Sequence, residues 1–178
     1  MQRVLIIGCS GAGKTTLARR LSLFLGLPIV HLDRHFWRAG WQQPSSAEWE
    51  EQVRALAAKP QWVMDGNYSS TLPMRLRVAD TVIVLDAPRW LCLTRVLRRL
   101  LLHYGRVRGD ELPDGCPERF DWAFLRYTWR YRDDHRPRAM KALEAFKGDV
   151  IVLRSAAEAA RYMESLARPA LGGDVIAS

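Results

Sequence analysis

Cysteine is scarce in this chain. Three occur in 178 residues, Cys9, Cys92 and Cys116, an odd number with no Cys-x-x-Cys spacing. That argues against a disulfide framework and a zinc site, and makes the cytoplasm the expected location. No apolar run approaches the roughly 20 residues of a membrane span, so no membrane partner is expected. The amino-terminal segment lacks a basic stretch followed by a cleavable apolar one and reads directly into a strand, so secretion is not expected. Internal repeats and low-complexity tracts are also missing. Acidic residues number 19 against 27 basic ones, for a net charge of +8. From Arg89 to Arg108 there are six arginines and no carboxylate. A solvated helix face would alternate its signs, so the imbalance points to polyanionic ligands, either nucleotides or nucleic acid. The apolar share of 48% is ordinary, and the length suits one domain with a full core.

The most specific pattern lies near the start. Gly8-Cys9-Ser10-Gly11-Ala12-Gly13-Lys14-Thr15 fits G-x-x-x-x-G-K-[ST], the phosphate-binding Walker A loop. Glycines let the backbone wrap a phosphate, and the N–H groups of Ser10, Gly11, Ala12, Gly13 and Thr16 can point at the anion. Lys14 reaches the β- and γ-phosphates of ATP, and the Thr15 hydroxyl is placed to ligate Mg²⁺. The flanks agree. Val4-Leu5-Ile6-Ile7 is a buried-strand run, and Leu17, Leu21, Phe24 and Leu25 recur at helical spacing. Cys9 is either a small loop-filling residue or a thiol whose pKa falls at a helix amino end.

Apolar runs alternate in period along the chain. Strands are expected at 3–7, 28–32, 61–65, 81–86 and 149–153. Helices are expected at 14–25, 46–58, 88–103, about 119–146 with a break, and 155–167. Ser45 and Glu48 form a helix start signal, and Gly26 with Pro28 closes the first helix. Such alternation implies an α/β fold with a parallel sheet covered on both faces, whose ligands sit at the carboxyl ends of the strands. Residues 1–168 are expected to form one domain. It carries an acceptor-side insertion at about 34–60 and a lid at about 104–138, followed by a flexible tail at 169–178.

The strand ends carry the candidate chemistry. Asp33 follows the second strand, placed to take an acceptor hydroxyl's proton or to hold Mg²⁺. His31 and His35 flank it as substrate contacts or structural residues. Trp37 and Trp41 form either an aromatic acceptor wall or core anchors. Asp65 ends the third strand as a metal-side carboxylate. Gly66, Asn67 and Tyr68 follow, for close approach and hydrogen bonding to substrate. Arg75 or Arg77 can clamp an acceptor phosphate or carboxylate. Arg95 and Arg99 share one helix face, placed to neutralise charge during phosphoryl transfer. Arginines and aromatics interleave through 126–138. That region fits a closing lid, a nucleic-acid surface or an amphipathic helix with solvated arginines.

The segments GCSGAGKTTLARRL, HLDRHFW, WVMDGNYSSTLPMR, ADTVIVLDAPRWLCLTRVLRR and GCPERF, with LRS near the end, touch most of residues 2–155. Together they resemble the adenylate-kinase-like and shikimate-kinase-like P-loop kinases. The similarity is closer to the small proteins labelled topology-modulation proteins. It implies a three-layer P-loop NTPase fold with a five-stranded parallel sheet in the order 2-3-1-4-5, ATP with Mg²⁺, and a mobile lid. Asp65-Gly66 matches the start of the adenylate kinases' Asp-Gly-Phe-Pro-Arg segment. Asn67-Tyr68-Ser69 does not supply its arginine, which turns the expectation away from AMP as acceptor. The family's paired helix arginines fall on Arg95 and Arg99, and Arg132 and Arg136 stand in for its lid arginines. The expected function is ATP- and Mg²⁺-dependent transfer to a small-molecule, possibly nucleotide, acceptor. The alternatives are a nucleotide-dependent nucleic-acid-binding protein using 89–138, and an ATP-binding switch without transfer.

Overall fold

The computed structural model of the chain describes residues 1–107 and 109–167. The tail expected from 169 lies outside them. Five strands, β1 (Arg3–Gly8), β2 (Ile29–His31), β3 (Trp62–Asp65), β4 (Thr81–Leu85) and β5 (Asp149–Leu153), form one sheet in the order β2-β3-β1-β4-β5. Every pairing is parallel. The helices are α1 (Lys14–Leu25), α2 (Leu32–Phe36), α3 (Ser46–Ala57), α4 (Leu72–Leu76), α5 (Arg89–His103), α6 (Trp122–Arg130), α7 (Arg136–Leu143) and α8 (Ala156–Ala167).

The pleat of β1 divides the core. Val4 and Ile6 face Leu17, Leu21 and Met163 of α1 and α8. Leu5 and Ile7 face Trp49, Val53 and Leu143 of α3 and α7. A continuous apolar run is therefore needed, because both faces of this central strand are covered. Gly26 closes α1 in the left-handed region, and Ser45 with Glu48 makes the capping box of α3.

Two expectations change. Strand β2 stops at His31, and Leu32 opens a short helix that carries Asp33 in its first turn. The break expected within 119–146 is a widened π-helical turn, Tyr131–His135, between α6 and α7. Pro137 lies in the first turn of α7, where its missing N–H is tolerated.

Register places the chemistry. His31 on β2 and Ile6 on β1 both pair with Asp65 of β3, and Gly8 pairs with Leu85. Asp33, Asp65 and the 8–15 loop thus meet at one edge.

Candidate active site

A cleft of about 1100 Å³ opens at the carboxyl ends of the strands. Ser10, Gly11, Ala12, Gly13, Lys14, Thr15 and Thr16 line it on one side. Gly13 precedes α1 with φ 102°, and the first turn of α1 carries no acidic side chain and no side-chain cap. Its amino-terminal N–H groups and dipole are left for an anion. Lys14 Nζ donates to the carbonyls of Gly8 (2.8 Å) and Cys9 (3.0 Å). Burial lowers the Lys14 pKa, opposed by the nearby Asp33 and Asp65 carboxylates. Gly8 acts from behind through that carbonyl.

Glycine is obligatory at Gly11. Its φ is +80°, and a Cβ there would lie 2.4 Å from the Cys92 carbonyl oxygen of α5. The loop thus rests directly on the helix that carries the paired arginines. Arg95 donates to the Gly11 carbonyl at 3.3 Å, and Arg99 pairs with Glu118 at 3.0 Å. Both line the cleft.

Thr15 Oγ1 donates to Asp65 Oδ2 at 3.0 Å, and His31 Nδ1 lies 2.7 Å from Asp65 Oδ1. The threonine hydroxyl and the aspartate carboxylate are hard oxygen donors that suit Mg²⁺. Among the described residues no group of three or more His, Cys, Asp or Glu could hold a metal. These donors fit an ion that shares its coordination with phosphates and water.

On the far side Tyr68 OH donates to Asp33 Oδ1 at 2.7 Å. Burial, with the Asp33 charge second, pushes the Tyr68 phenol pKa up, so it stays a donor. Trp37 and Trp41 both line the cleft, as do Gly66, Asn67 and Tyr68. Gly66 has φ +135°, and a Cβ there would sit 2.8 Å from that of Leu32. Asn67 Oδ1 accepts from Gly8 N at 3.0 Å and from Tyr131 OH at 3.4 Å. Its Nδ2 donates to Tyr127 OH at 3.1 Å, so it ties the two sides of the cleft together. Burial pushes the Tyr127 phenol up to about 12.

Three expected substrate residues stand elsewhere. Arg75 is fully buried. It donates to the carbonyls of Gly66 (3.0 Å), Asn67 and Tyr68 (2.9 Å), which makes it the brace of the 66–68 loop. Burial lowers its pKa to about 9. Arg136 makes a two-pronged bond to Asp86 at 2.8 Å and 2.8 Å, behind the loop. Arg132 lines the small hollow beside it. Three cleft arginines were not expected from the sequence, Arg19, Arg20 and Arg119, the last with its guanidinium 5.3 Å from the Trp41 ring centre. The signal for Arg119 is its place in the Gly115-to-Phe120 segment. The bond of His31 to Asp65 depends on strand order, which local sequence does not show.

Two alternatives left open by the sequence are narrowed. A hydrogen bond with Cys92, followed by burial, pushes the Cys9 thiol up, against a reactive thiolate. Four arginines of the 89–138 region find counter-charges inside the molecule. Arg89 pairs with Asp133, Arg99 with Glu118, Arg130 with Asp134 and Arg136 with Asp86. That weakens the case for a nucleic-acid footprint.

Residues 115–117 are docked on the turn at 38–41. Gly40 N donates to Gly115 O at 2.8 Å, Trp41 Nε1 to Pro117 O at 3.1 Å, and Cys116 Sγ to Arg38 O at 3.2 Å. Arg19 of α1 reaches Glu111 at 3.2 Å.

Strand order, loop and cleft define a protein of the three-layer P-loop NTPase fold. No family model and no curated protein sequence matches the chain. Solved structures do match. Shikimate kinase from Acinetobacter baumannii, in complex with shikimate, superposes with a TM-score of 0.58 at 19% identity, over 97% of this chain and 96% of that one. Shikimate kinase from Bacteroides thetaiotaomicron gives 0.57 at 17%, over 93% and 95%. A gluconokinase from Sinorhizobium meliloti gives 0.51 at 14%, over 93% and 95%. The likeness is one of fold. No helix among the described residues is long and apolar enough to cross a membrane.

Proposed function

We propose that the protein is an ATP-dependent, Mg²⁺-requiring phosphotransferase acting on a small-molecule acceptor. The observation that supports it is convergence. Lys14, Thr15, Asp33, Asp65, Arg95 and Arg99 come from four separate elements and line one cleft that has room for a nucleotide and a second ligand. The fold neighbours named as kinases of small hydroxylated molecules agree.

In this scheme the N–H groups of residues 10–16 and the Lys14 ammonium hold the β- and γ-phosphates, and Arg95 sits beside the loop for the same anion. Thr15 and Asp65 would hold Mg²⁺, which would supply charge neutralisation at the transferred group. Asp33, oriented by Tyr68, accepts the acceptor hydroxyl's proton. Arg99 and Arg119 border the acceptor half, while the lid at 104–138, docked over 38–41, excludes water. Residues 1–168 act as one unit, with 34–60 on the acceptor side. The similarity to topology-modulation proteins rests on Leu32-Asp33, Phe36-Trp37 and Asp65 to Ser69. Here those segments are the acceptor wall.

The test is ADP release with MgATP over a panel of acceptors. Acceptor-stimulated turnover is expected to fall at least ~10³-fold in Lys14→Ala, since transition-state charge stabilisation of this kind is worth about 10²–10³ or more in rate. Full turnover in that variant would sink the proposal.

A further inference from the structure

The side chains around Asp33 form an arc of rings. Trp41 meets Trp37 edge to face with centroids 5.2 Å apart, and Trp37 meets Phe36 at 4.9 Å. Phe36 meets Tyr68 at 4.7 Å. Tyr68 adjoins Asn67, whose amide holds Tyr127, and Tyr127 stacks on Phe124 at 6.4 Å. A guanidinium closes each end: Arg119 lies over Trp41, and Arg99 lies 5.9 Å from the Phe124 ring centre. Trp37, Trp41, Tyr68, Phe124 and Tyr127 all line the cleft, each half-buried.

The polar groups along this arc are largely committed. Arg75 is spent on three backbone carbonyls. The Asn67 amide is spent on Gly8, Tyr127 and Tyr131. Asp121 accepts from Phe124 N as the cap of α6, and Glu118 is taken by Arg99. His135 packs on Tyr127 at 4.7 Å. Asp33 is the carboxylate left exposed in the middle. An acceptor phosphate needs a two-pronged arginine, and a polyol or sugar acid needs several free polar partners. Arg99 is held by Glu118, and the other end guanidinium, Arg119, lies over the Trp41 ring, so what the arc mainly offers is ring faces and edges around one carboxylate.

Backbone strain marks the same wall. Among the described residues Trp41 (φ 62°) and Tyr68 (φ 37°) are the two non-glycine residues with positive φ, and both line the cleft. Such conformations persist where the surroundings hold a side chain in a required place.

We propose, on top of the phosphotransferase reading, that the acceptor is an uncharged alcohol carrying a planar ring, of the nucleoside type. The ring lies in the aromatic arc and the hydroxyl donates to Asp33. In transfer, the acceptor oxygen bonds to the γ-phosphorus as the bond from that phosphorus to the β,γ-bridging oxygen breaks. The hydroxyl proton passes to the Asp33 carboxylate, and ADP leaves.

The experiment has two arms. Binding of MgATP by calorimetry, with Lys14→Ala as control, tests the phosphotransferase reading by itself. ADP release is then followed with purine and pyrimidine nucleosides, heteroaromatic alcohols, polyols, sugar acids and nucleoside monophosphates. Turnover is expected with ring alcohols. Trp41→Ala and Trp37→Ala are expected to raise the acceptor KM about tenfold, because stacking on one aromatic side chain carries that much affinity. The KM for ATP stays within about twofold, and Trp41→Phe restores most of the loss. MgATP binding with turnover only on polyols, sugar acids or monophosphates overturns the proposal, as does no turnover with any ring alcohol. Unchanged acceptor KM in both alanine variants overturns it too.

Discussion

Arg75 shows how one buried cation can serve a site without touching its ligand. Its guanidinium answers three carbonyls of the 66–68 loop. Arg75→Ala would strand them, each worth about 1–3 kcal/mol, so a loss of about 3 kcal/mol or more is expected in urea denaturation. A ligand clamp at this position would instead raise acceptor KM at constant stability. Asp80 is the matching case for pH. Burial opposes its ionisation, but the Thr81 hydroxyl and the N–H groups of Gln2 and Arg3 outweigh that and hold it below its ordinary 3.8. A depressed carboxylate stabilises the fold fully above its unfolded pKa, and that contribution is lost as pH falls through the folded value. Asp80→Asn is expected to cost about 1–2 kcal/mol at neutral pH and to flatten the acid limb of stability below about pH 4. Chemical denaturation as a function of pH checks both. At this scale Lys14, Thr15 and Asp65 were legible because the loop motif and the strand ends dictate them. Arg75, Arg132 and Arg136 were not. Their directions depend on partners far off in the chain, the loop carbonyls and Asp86, which no spacing rule supplies.

Between elements, one tight joint is the loop before α1 against α5. A methyl group at Gly11 would meet the Cys92 carbonyl, and the φ of +80° adds strain of its own. Gly11→Ala is expected to cost about 2 kcal/mol or more and to lower the melting temperature by several degrees, read by calorimetry. Wild-type stability in that variant would mean that α5 can slide. The elements themselves were mostly readable. Apolar runs located all five strands, since strands buried on both faces cannot alternate, and the Ser45–Glu48 pair marked the start of α3. Strand order came only with family resemblance. The π-helical turn at Tyr131–His135 escaped, because its cause is shared between Pro137 and the packing of Tyr127, Tyr131 and His135.

Taken whole, the molecule divides its work between backbone and side chain. The 8–15 side of the cleft is built from loop N–H groups, a helix end and close backbone contact. The opposite side is built from rings on α2, the 38–41 turn, the 66–68 loop and α6. Residues 115–117 are fastened to that side through Gly40, Trp41 and Arg38, while Glu111 fastens to Arg19. On the proposed phosphotransferase reading these fastenings have a kinetic consequence. A product enclosed beneath them would depart only after several hydrogen bonds and an ion pair came apart in solvent. Undocking, not bond exchange, would then govern the turnover number. Turnover is expected to slow in proportion to solvent viscosity as sucrose is added, while kcat/KM for a slow acceptor stays flat. Trp41→Phe, which removes the indole N–H but keeps a ring, is expected to weaken that viscosity dependence and quicken product exit.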